Sequence, residues 1–102
     1  MAAKTVEVVQ FHLVEGTDEK AFLEAFDAMQ SEFLTNAKGF IDRELIKGQY
    51  DEWMDIIHWN SLPEAEEAAR QATSHPVCLR FFGMIDEMSM TIMYLQQMRE
   101  YS

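Results

Sequence analysis

The stretch that decides the fold is residues 52–64, EWMDIIHWNSLPE, because it joins a predicted strand to a predicted helix. Residues 52–60 are rich in apolar and aromatic side chains and indicate a strand. Ser61 with Glu64 three residues later has the form of a capping box, and Pro63 suits the first turn of a helix. We therefore predict a helix that begins directly after this strand and runs to about Ala72.

The residues before this stretch predict a strand, a helix and a second strand. Residues 5–14 are mostly β-branched and apolar, which is typical of a strand. Thr17 is the expected N-cap of a helix, whose apolar residues then recur at spacings of 4, 3 and 4. We expect this helix to end near Gly39. Residues 40–47 form the second predicted strand, and residues 48–51 form the turn into the third.

The residues after the stretch predict a short helix and a last strand. Pro76 disfavours a helical conformation for the residue before it, so we expect the preceding helix to be interrupted there. A second short helix is predicted over residues 76–82, and a final strand over residues 84–96. Five of the eight methionines lie between residues 84 and 98, and methionine suits an irregular core or interface.

The order of elements is therefore β-α-β-β-α-β, which is a split βαβ motif. We predict an α+β, ferredoxin-like fold that forms a single domain over residues 1–102. Both helical segments should pack on one side of a four-stranded, antiparallel-type sheet of strand order 4-1-3-2. In this arrangement we expect the first and third strands to lie side by side and parallel in the centre of the sheet.

The second face of such a sheet has no helix to cover it, yet it still carries large apolar side chains. A monomer would expose an apolar patch larger than soluble proteins normally tolerate. We therefore predict a homodimer in which two sheets pack face to face about a two-fold axis.

Composition excludes several classes of function. The 102 residues hold 8 Lys and Arg against 18 Asp and Glu, which gives a net charge of −10. This charge argues against binding to nucleic acid and to anionic membranes. The single cysteine, Cys78, excludes a disulfide scaffold, and without a signal peptide or a membrane-length apolar run we expect a cytoplasmic protein. No glycine-rich phosphate loop is present, so no nucleotide or flavin site is indicated. We predict a protein without a cofactor.

The sequence also resembles a known family. The element order, the Lys38-Gly39-Phe40 lead into the second strand and the Ile57-His58-Trp59-Asn60-Ser61 entry into a Glu/Ala-rich helix resemble the antibiotic-biosynthesis monooxygenase group. The resemblance covers about residues 5 to 96, and it implies a dimeric α/β barrel. The group contains cofactor-free monooxygenases that act on polyketide anthrones or quinols, haem-degrading enzymes, and members of unknown function.

The resemblance suggests catalytic roles for Asp55 and Trp59. Trp59 matches the pocket tryptophan of the group, and Asp55 stands where the anthrone oxidases have an asparagine. The two residues share a strand face, and an apolar wall would raise the pKa of Asp55 so that it could act as a base. The alternatives are that Trp59 is a core residue packed beneath the second helix and that Asp55 lies at a solvated strand position. The expected substrate-binding residues of a pocket between sheet and helices are Phe11, Phe81, Phe82 and Met88.

The haem-degrading members imply a different set of residues, which this sequence lacks. By the resemblance, Val9 stands where those enzymes have an asparagine, and Phe81 stands where they have a haem-ligating histidine. His75 lies six residues before Phe81, so we do not predict haem cleavage.

Two histidines form a second candidate constellation. We expect His12 and His58 near the same ends of neighbouring strands, on the face opposite Trp59, where they are candidate metal ligands without an identifiable third ligand. Arg43 joins this face if the hairpin pairs its strands with an odd register sum. The alternative is that both histidines are interior residues with satisfied hydrogen bonds.

The leading functional hypothesis is a cofactor-independent monooxygenase-like enzyme that acts on a small aromatic or quinone-type molecule. The alternative is a non-catalytic ligand-binding or assembly protein with the same scaffold. Isomerase or lyase chemistry is a third hypothesis, because fold alone does not select a reaction.

Overall fold

The computed structural model describes residues 3–102 and contains the predicted order of elements. The strands are β1 (Thr5–Phe11), β2 (Phe40–Lys47), β3 (Trp53–Trp59) and β4 (Thr91–Gln96). The helices are α1 (Glu19–Glu32), α2 (Leu62–Ala72) and α3 (Pro76–Phe82), with short 3-10 turns at Leu34–Asn36 and Glu87–Ser89. Over the described residues, no helix has the length and apolarity needed to cross a membrane.

The sheet confirms the predicted strand order and corrects one pairing. Its strands lie in the order β2-β3-β1-β4, and all three neighbouring pairs are antiparallel. The prediction that the first and third strands are parallel is wrong, because Thr5 pairs with Trp59 while Phe11 pairs with Trp53. The reason is geometric: the first crossover leaves β2 running in the direction of β1, and the hairpin then reverses β3.

One face of the sheet is covered by the helices and the other is open. On β3, Trp53, Asp55, Ile57 and Trp59 are buried, and the residues between them are half-buried. This alternation follows from the period of two along a strand. The open face carries apolar side chains from all four strands, namely Val6, Val8, Ile46, Met54, Ile56, Met93 and Leu95.

Ser61 caps α2 as predicted, but only one bond of the capping box is formed, because the Glu64 carboxylate accepts from the Ser61 hydroxyl rather than from its backbone N–H. The backbone N–H of Glu64 donates to Ser61 Oγ at 3.4 Å, and Ser61 Oγ donates to Glu64 Oε1 at 2.9 Å. These bonds satisfy polar groups at the start of α2 and fix the point where the chain leaves the sheet.

The first helix differs from its prediction at both ends. Its N-cap is Asp18, whose side chain accepts from Ala21 N at 3.3 Å, whereas Thr17 Oγ1 donates back to Val14 O at 2.6 Å. The helix ends at Glu32 rather than near Gly39, because a 3-10 turn at residues 34–36 intervenes.

The last strand begins later than predicted. Residues 84–90 do not form a regular strand: Ile85 makes an isolated bridge to Leu13, and Asp86 starts a 3-10 turn by accepting from Met88 N at 3.1 Å. The prediction of Met88 on a strand face is therefore wrong, and its side chain is 95% exposed.

The core has an aromatic part and a sparsely filled part. Phe22 packs against Phe81 and Trp53, with ring centroids 5.4 and 5.1 Å apart. By contrast, α2 contributes only alanines to the core, namely Ala65, Ala68 and Ala72. Since alanine fills little volume, the space between α2 and the sheet is left for a cavity.

Candidate functional site

A cavity of about 350 Å³ lies between the helix-facing side of the sheet and the helices. Its walls are mostly apolar and include Met29 of α1, Phe33 directly after α1, Ala68 and Ala72 of α2, and Ile57 of β3. Its volume falls in the range of small-molecule sites, which combine apolar walls with a few polar groups.

Trp59 and Glu7 form a hydrogen-bonded pair in the cavity wall. Trp59 is 1% exposed, and its Nε1–H donates to Glu7 Oε1 at 2.9 Å. The antiparallel register pairs Glu7 with Ile57, so Trp59 is its diagonal neighbour on the same face. A buried indole N–H needs an acceptor, and here the acceptor is an ionisable carboxyl group.

The pKa of Glu7 is shifted toward neutrality. Removal from water raises the pKa of this carboxyl from 4.5 to about 7. The N–H of Trp59 opposes the rise by stabilising the ionised form, the negative charge of Asp55 adds to it, and Arg43 partly offsets it. At neutral pH both the acid and the carboxylate of Glu7 are therefore populated, as general acid–base chemistry requires.

Asp55 is held in a buried ion pair with Arg43. Arg43 Nε lies 2.9 Å from Asp55 Oδ1, and Nη2 lies 2.7 Å from Oδ2. The two side chains are only 2% and 5% exposed. The guanidinium also stacks on the ring of Phe26, with its carbon 3.7 Å from the centroid, and lies 5.4 Å from that of Phe81. Asp55 is thus a fixed carboxylate whose charge is balanced by a cation.

Tyr94 stands opposite Glu7 on the edge strand β4. The two residues are partners in the antiparallel register, and both line the cavity. Burial raises the pKa of Tyr94 to about 12, and the charges of Glu7 and Glu66 add to the rise. The Tyr94 hydroxyl therefore keeps its proton at neutral pH.

The structure brings together four of the six predicted site residues. Asp55, Trp59, Phe81 and Phe82 all line the cavity. Phe11 is instead buried in the aromatic core beside Phe22, with ring centroids 5.8 Å apart, and it does not line the cavity. Met88 lies outside the cavity as well, because the 3-10 turn points its side chain into solvent.

Glu7 is the site residue that the sequence analysis missed. It lies on the same strand face as Val9 and Phe11, which are both buried. A carboxyl group within an otherwise apolar strand face is rarely accommodated without a partner, and this was the signal that could have identified it.

Both candidate histidines lie near the C-terminal ends of their own strands, which are opposite ends of the antiparallel β1–β3 pair. His12 directly follows the end of β1, whereas His58 pairs with Val6 near its start. The expectation that they lie together is wrong because β1 and β3 are antiparallel. Instead, His58 Nδ1 lies 2.6 Å from Asp42 Oδ1. Among residues 3–102, no group of three His, Cys, Asp or Glu side chains is placed to hold a metal ion.

Arg43 belongs to the helix-facing side rather than to the histidine face. Its register partner is Ile57, so the hairpin pairs its strands with an even register sum. This even sum is what brings the guanidinium to Asp55.

Cys78 is fully buried, and burial raises the pKa of its thiol to about 11, so the thiol is un-ionised at neutral pH.

Comparison with known proteins identifies the fold. No family model matches the sequence, and neither does any curated protein sequence. Solved structures, however, match over almost the whole chain. A mutant of SnoaB, a cofactor-independent oxygenase from Streptomyces nogalater, superposes with a TM-score of 0.79 at 14% identity, with 97% of each chain covered.

Two further structures extend this similarity. A candidate antibiotic biosynthesis monooxygenase from Bordetella bronchiseptica has a TM-score of 0.77 at 15% identity, covering 95% of this chain and 99% of that one. Another candidate of this kind, from Nitrosomonas europaea, has a TM-score of 0.71 at 12% identity, covering 96% and 93%. These matches confirm the predicted ferredoxin-like fold and its likeness to the antibiotic-biosynthesis monooxygenase group. At such identities they establish the fold alone.

The buried ion pair leads to a stability prediction. Asp55→Ala leaves the Arg43 guanidinium buried without a counter-charge, so we expect a loss of about 3–5 kcal/mol in the free energy of unfolding. Urea denaturation at pH 7 measures this loss. Lys47→Ala is the matched control, because its solvent-screened pairs with Glu19 and Asp51 should contribute little to the free energy of unfolding. An equal, small loss for both variants would contradict a buried, energetically coupled pair.

The raised pKa of Glu7 leads to a second prediction. At pH 4 the carboxyl is largely protonated in both folded and unfolded states, whereas at pH 8 the folded state must hold it ionised. The difference between 4.5 and about 7 corresponds, at about 1.4 kcal/mol per pH unit, to at most about 3.5 kcal/mol. We therefore expect Glu7→Gln to gain up to this amount of stability over the wild type as pH rises from 4 to 8.

Urea denaturation of both proteins at several pH values tests this expectation. The gain should develop between pH 4.5 and about 7 and should then level off. Glu24→Gln, on the exposed surface of α1, is the control and should show no such trend. A stability difference between Glu7→Gln and the wild type that does not change with pH would show that the Glu7 carboxyl is ordinarily solvated.

Proposed function

We propose that this chain is a cofactor-independent, monooxygenase-like enzyme that acts on a small aromatic or quinone-type molecule. The observation that carries the proposal is the apolar cavity of about 350 Å³ beside Trp59, with the carboxyl groups of Glu7 and Asp55 in its wall. A fully packed interface between helices and sheet would have favoured a structural role instead.

The walls of the cavity favour a flat, uncharged ligand. Phe81 and Phe82 offer aromatic surfaces for packing, and Ala68 and Ala72 leave room above the sheet. The chain carries a net charge of −10, and the positive charge of Arg43 is already balanced by Asp55. An anionic ligand would therefore be repelled, whereas a neutral anthrone or quinol would not.

The proposed reaction begins with removal of an acidic C–H or O–H proton by a carboxylate. The electron pair left on the aromatic system reduces O₂ stepwise, and a C–O bond forms to give a peroxide anion. The carboxylic acid returns its proton, which yields a hydroperoxide. Loss of water breaks the O–O bond and removes the second C–H proton, so that CH₂ and O₂ become C=O and H₂O.

In this proposal Trp59 holds the carboxyl group of Glu7 in the orientation needed for proton transfer. Its N–H bond to Glu7 fixes one carboxyl oxygen, and its ring forms part of the wall. Asp55 lies beside the ligand in this proposal, where its charge and that of Arg43 form a fixed dipole.

Oxygen uptake with a trihydroxyanthrone and a naphthoquinol tests the proposal. We expect one O₂ consumed and one H₂O released for each anthrone converted to its anthraquinone or each naphthoquinol converted to its hydroxynaphthoquinone, without added metal, flavin or haem. Trp59→Phe should slow the reaction about tenfold, the effect of about 1.4 kcal/mol at the barrier. Tyr50→Phe is the control, because Tyr50 is 81% exposed on the hairpin turn. Binding of both compounds without any O₂ uptake would favour the non-catalytic, ligand-binding alternative.

We also propose that the chain forms a homodimer through the open face of its sheet. Met93 and Leu95 of β4 are 44% and 47% exposed there, and they continue an apolar surface over β1 and β3. Contiguous exposed apolar surface of this kind marks an interaction site, and a second copy of the same face is self-complementary.

Sedimentation equilibrium tests the dimer. The wild type should have a mass of about twice 11.9 kDa. Leu95→Glu places a charge on the open face and should shift the protein toward monomer, because the buried charge would lack a partner. Leu79→Glu, at a 49% exposed position of α3, is the control and should leave the mass unchanged. A monomeric wild type at micromolar concentration would contradict the proposal.

A further inference from the structure

We infer that Glu7, rather than Asp55, is the catalytic residue that takes a proton from the molecule bound in the cavity. This inference rests on the proposed function and deepens it, because it assigns the proton acceptor. It departs from the sequence analysis, in which Asp55 held that role.

The geometry of the Glu7 carboxyl leaves one of its oxygens free to act as a base. Its Oε1 accepts the N–H of Trp59 at 2.9 Å, which fixes the orientation of the group. Its Oε2 takes part in no hydrogen bond with residues 3–102, and the side chain lines the cavity. One oxygen is thus held in place while the other remains available to a C–H or O–H group of a ligand.

Both carboxylate oxygens of Asp55 already accept hydrogen bonds from Arg43. Arg43 approaches them through Nε and Nη2 in a fork of parallel bonds at 2.9 and 2.7 Å. The guanidinium cannot easily withdraw, because it stacks on Phe26 and its Nη1 lies 3.5 Å from the Phe26 carbonyl oxygen. Both oxygens of Asp55 are therefore occupied by the guanidinium, and neither is free to approach a C–H or O–H group of a ligand.

The titratable groups around Glu7 also suit it to the role of a base. From β3 it meets Asp55, from β2 Arg43, and from β4 the un-ionised Tyr94; Glu87 of the 3-10 turn also lines the cavity. Since the two charges of the Arg43–Asp55 pair largely cancel, desolvation dominates and the pKa of Glu7 rises to about 7. A base with this pKa is half ionised at neutral pH and strong enough to accept a proton.

The test is the pH dependence of O₂ uptake with the trihydroxyanthrone. In the wild type the rate should rise with pH to a plateau, with a midpoint near 7, because the ionised form of Glu7 is the base. Glu7→Gln should lower the plateau rate, measured above pH 8, at least about a hundredfold, the usual effect of removing a general base. Its affinity for the anthrone, measured by quenching of tryptophan fluorescence, should stay within about threefold.

The pH midpoint of the rate in Trp59→Phe is a second measurement, and it would not change if Glu7 had only a structural role. Because the indole N–H stabilises the ionised carboxyl, its loss should shift the midpoint of the rate profile to higher pH. Glu24→Gln on the outer surface of α1 should change neither the rate nor the midpoint.

Three results distinguish a failure of the Glu7 assignment from a failure of the proposed function. A rate within about twofold of the wild type for Glu7→Gln, or an unchanged midpoint for Trp59→Phe, would overturn the assignment of Glu7 while the proposed function stood. Loss of the rate in Asp55→Asn together with its survival in Glu7→Gln would return the role of base to Asp55. Absence of O₂ uptake in the wild type would overturn the proposed function and this inference with it.

Discussion

The partial removal of the Glu7 carboxyl from water is the constraint on which the site depends. β1 lies between β3 and β4 in the sheet, so a side chain on its helix-facing side has neighbours on both flanks. A carboxylate in such a place needs hydrogen bonds or a cation. Trp59 supplies one hydrogen bond, and the nearby guanidinium of Arg43 is committed to Asp55. Glu7 is therefore poised between its two protonation states.

The neighbouring ion pair and the alanine-rich helix provide the surroundings that this carboxyl requires. The Arg43–Asp55 pair places polar groups at the sheet without leaving a net charge. α2 contributes small side chains such as Ala68 and Ala72, so the volume above these groups stays open. The combination of an open apolar space with a few fixed polar groups is what distinguishes a binding site from a packed core.

The alternation of side chains along β3 and the turn signals were sufficient to predict the order of the elements, the order of the strands and the shared strand face of Trp59 and Asp55. Trp59 and Asp55 had to share a face, and Ser61 had to begin a helix, because both follow from local patterns. Features that depend on pairing between distant strands were beyond those patterns. The direction of β1 against β3 placed His12 and His58 apart, and the register of the hairpin brought Arg43 to Asp55. Recognising Glu7 required knowing which strand face is covered and what lies diagonally across from it.

The measurement that tests this account most directly is a carbon-13 NMR titration of the Glu7 side-chain carboxyl, with Glu7→Gln used to assign the signal. The burial of this group and its bond to Trp59 together require a titration midpoint near pH 7. A midpoint near 4.5, the value of a glutamate in water, would contradict the central claim that the fold holds a desolvated, proton-exchanging carboxyl at the cavity.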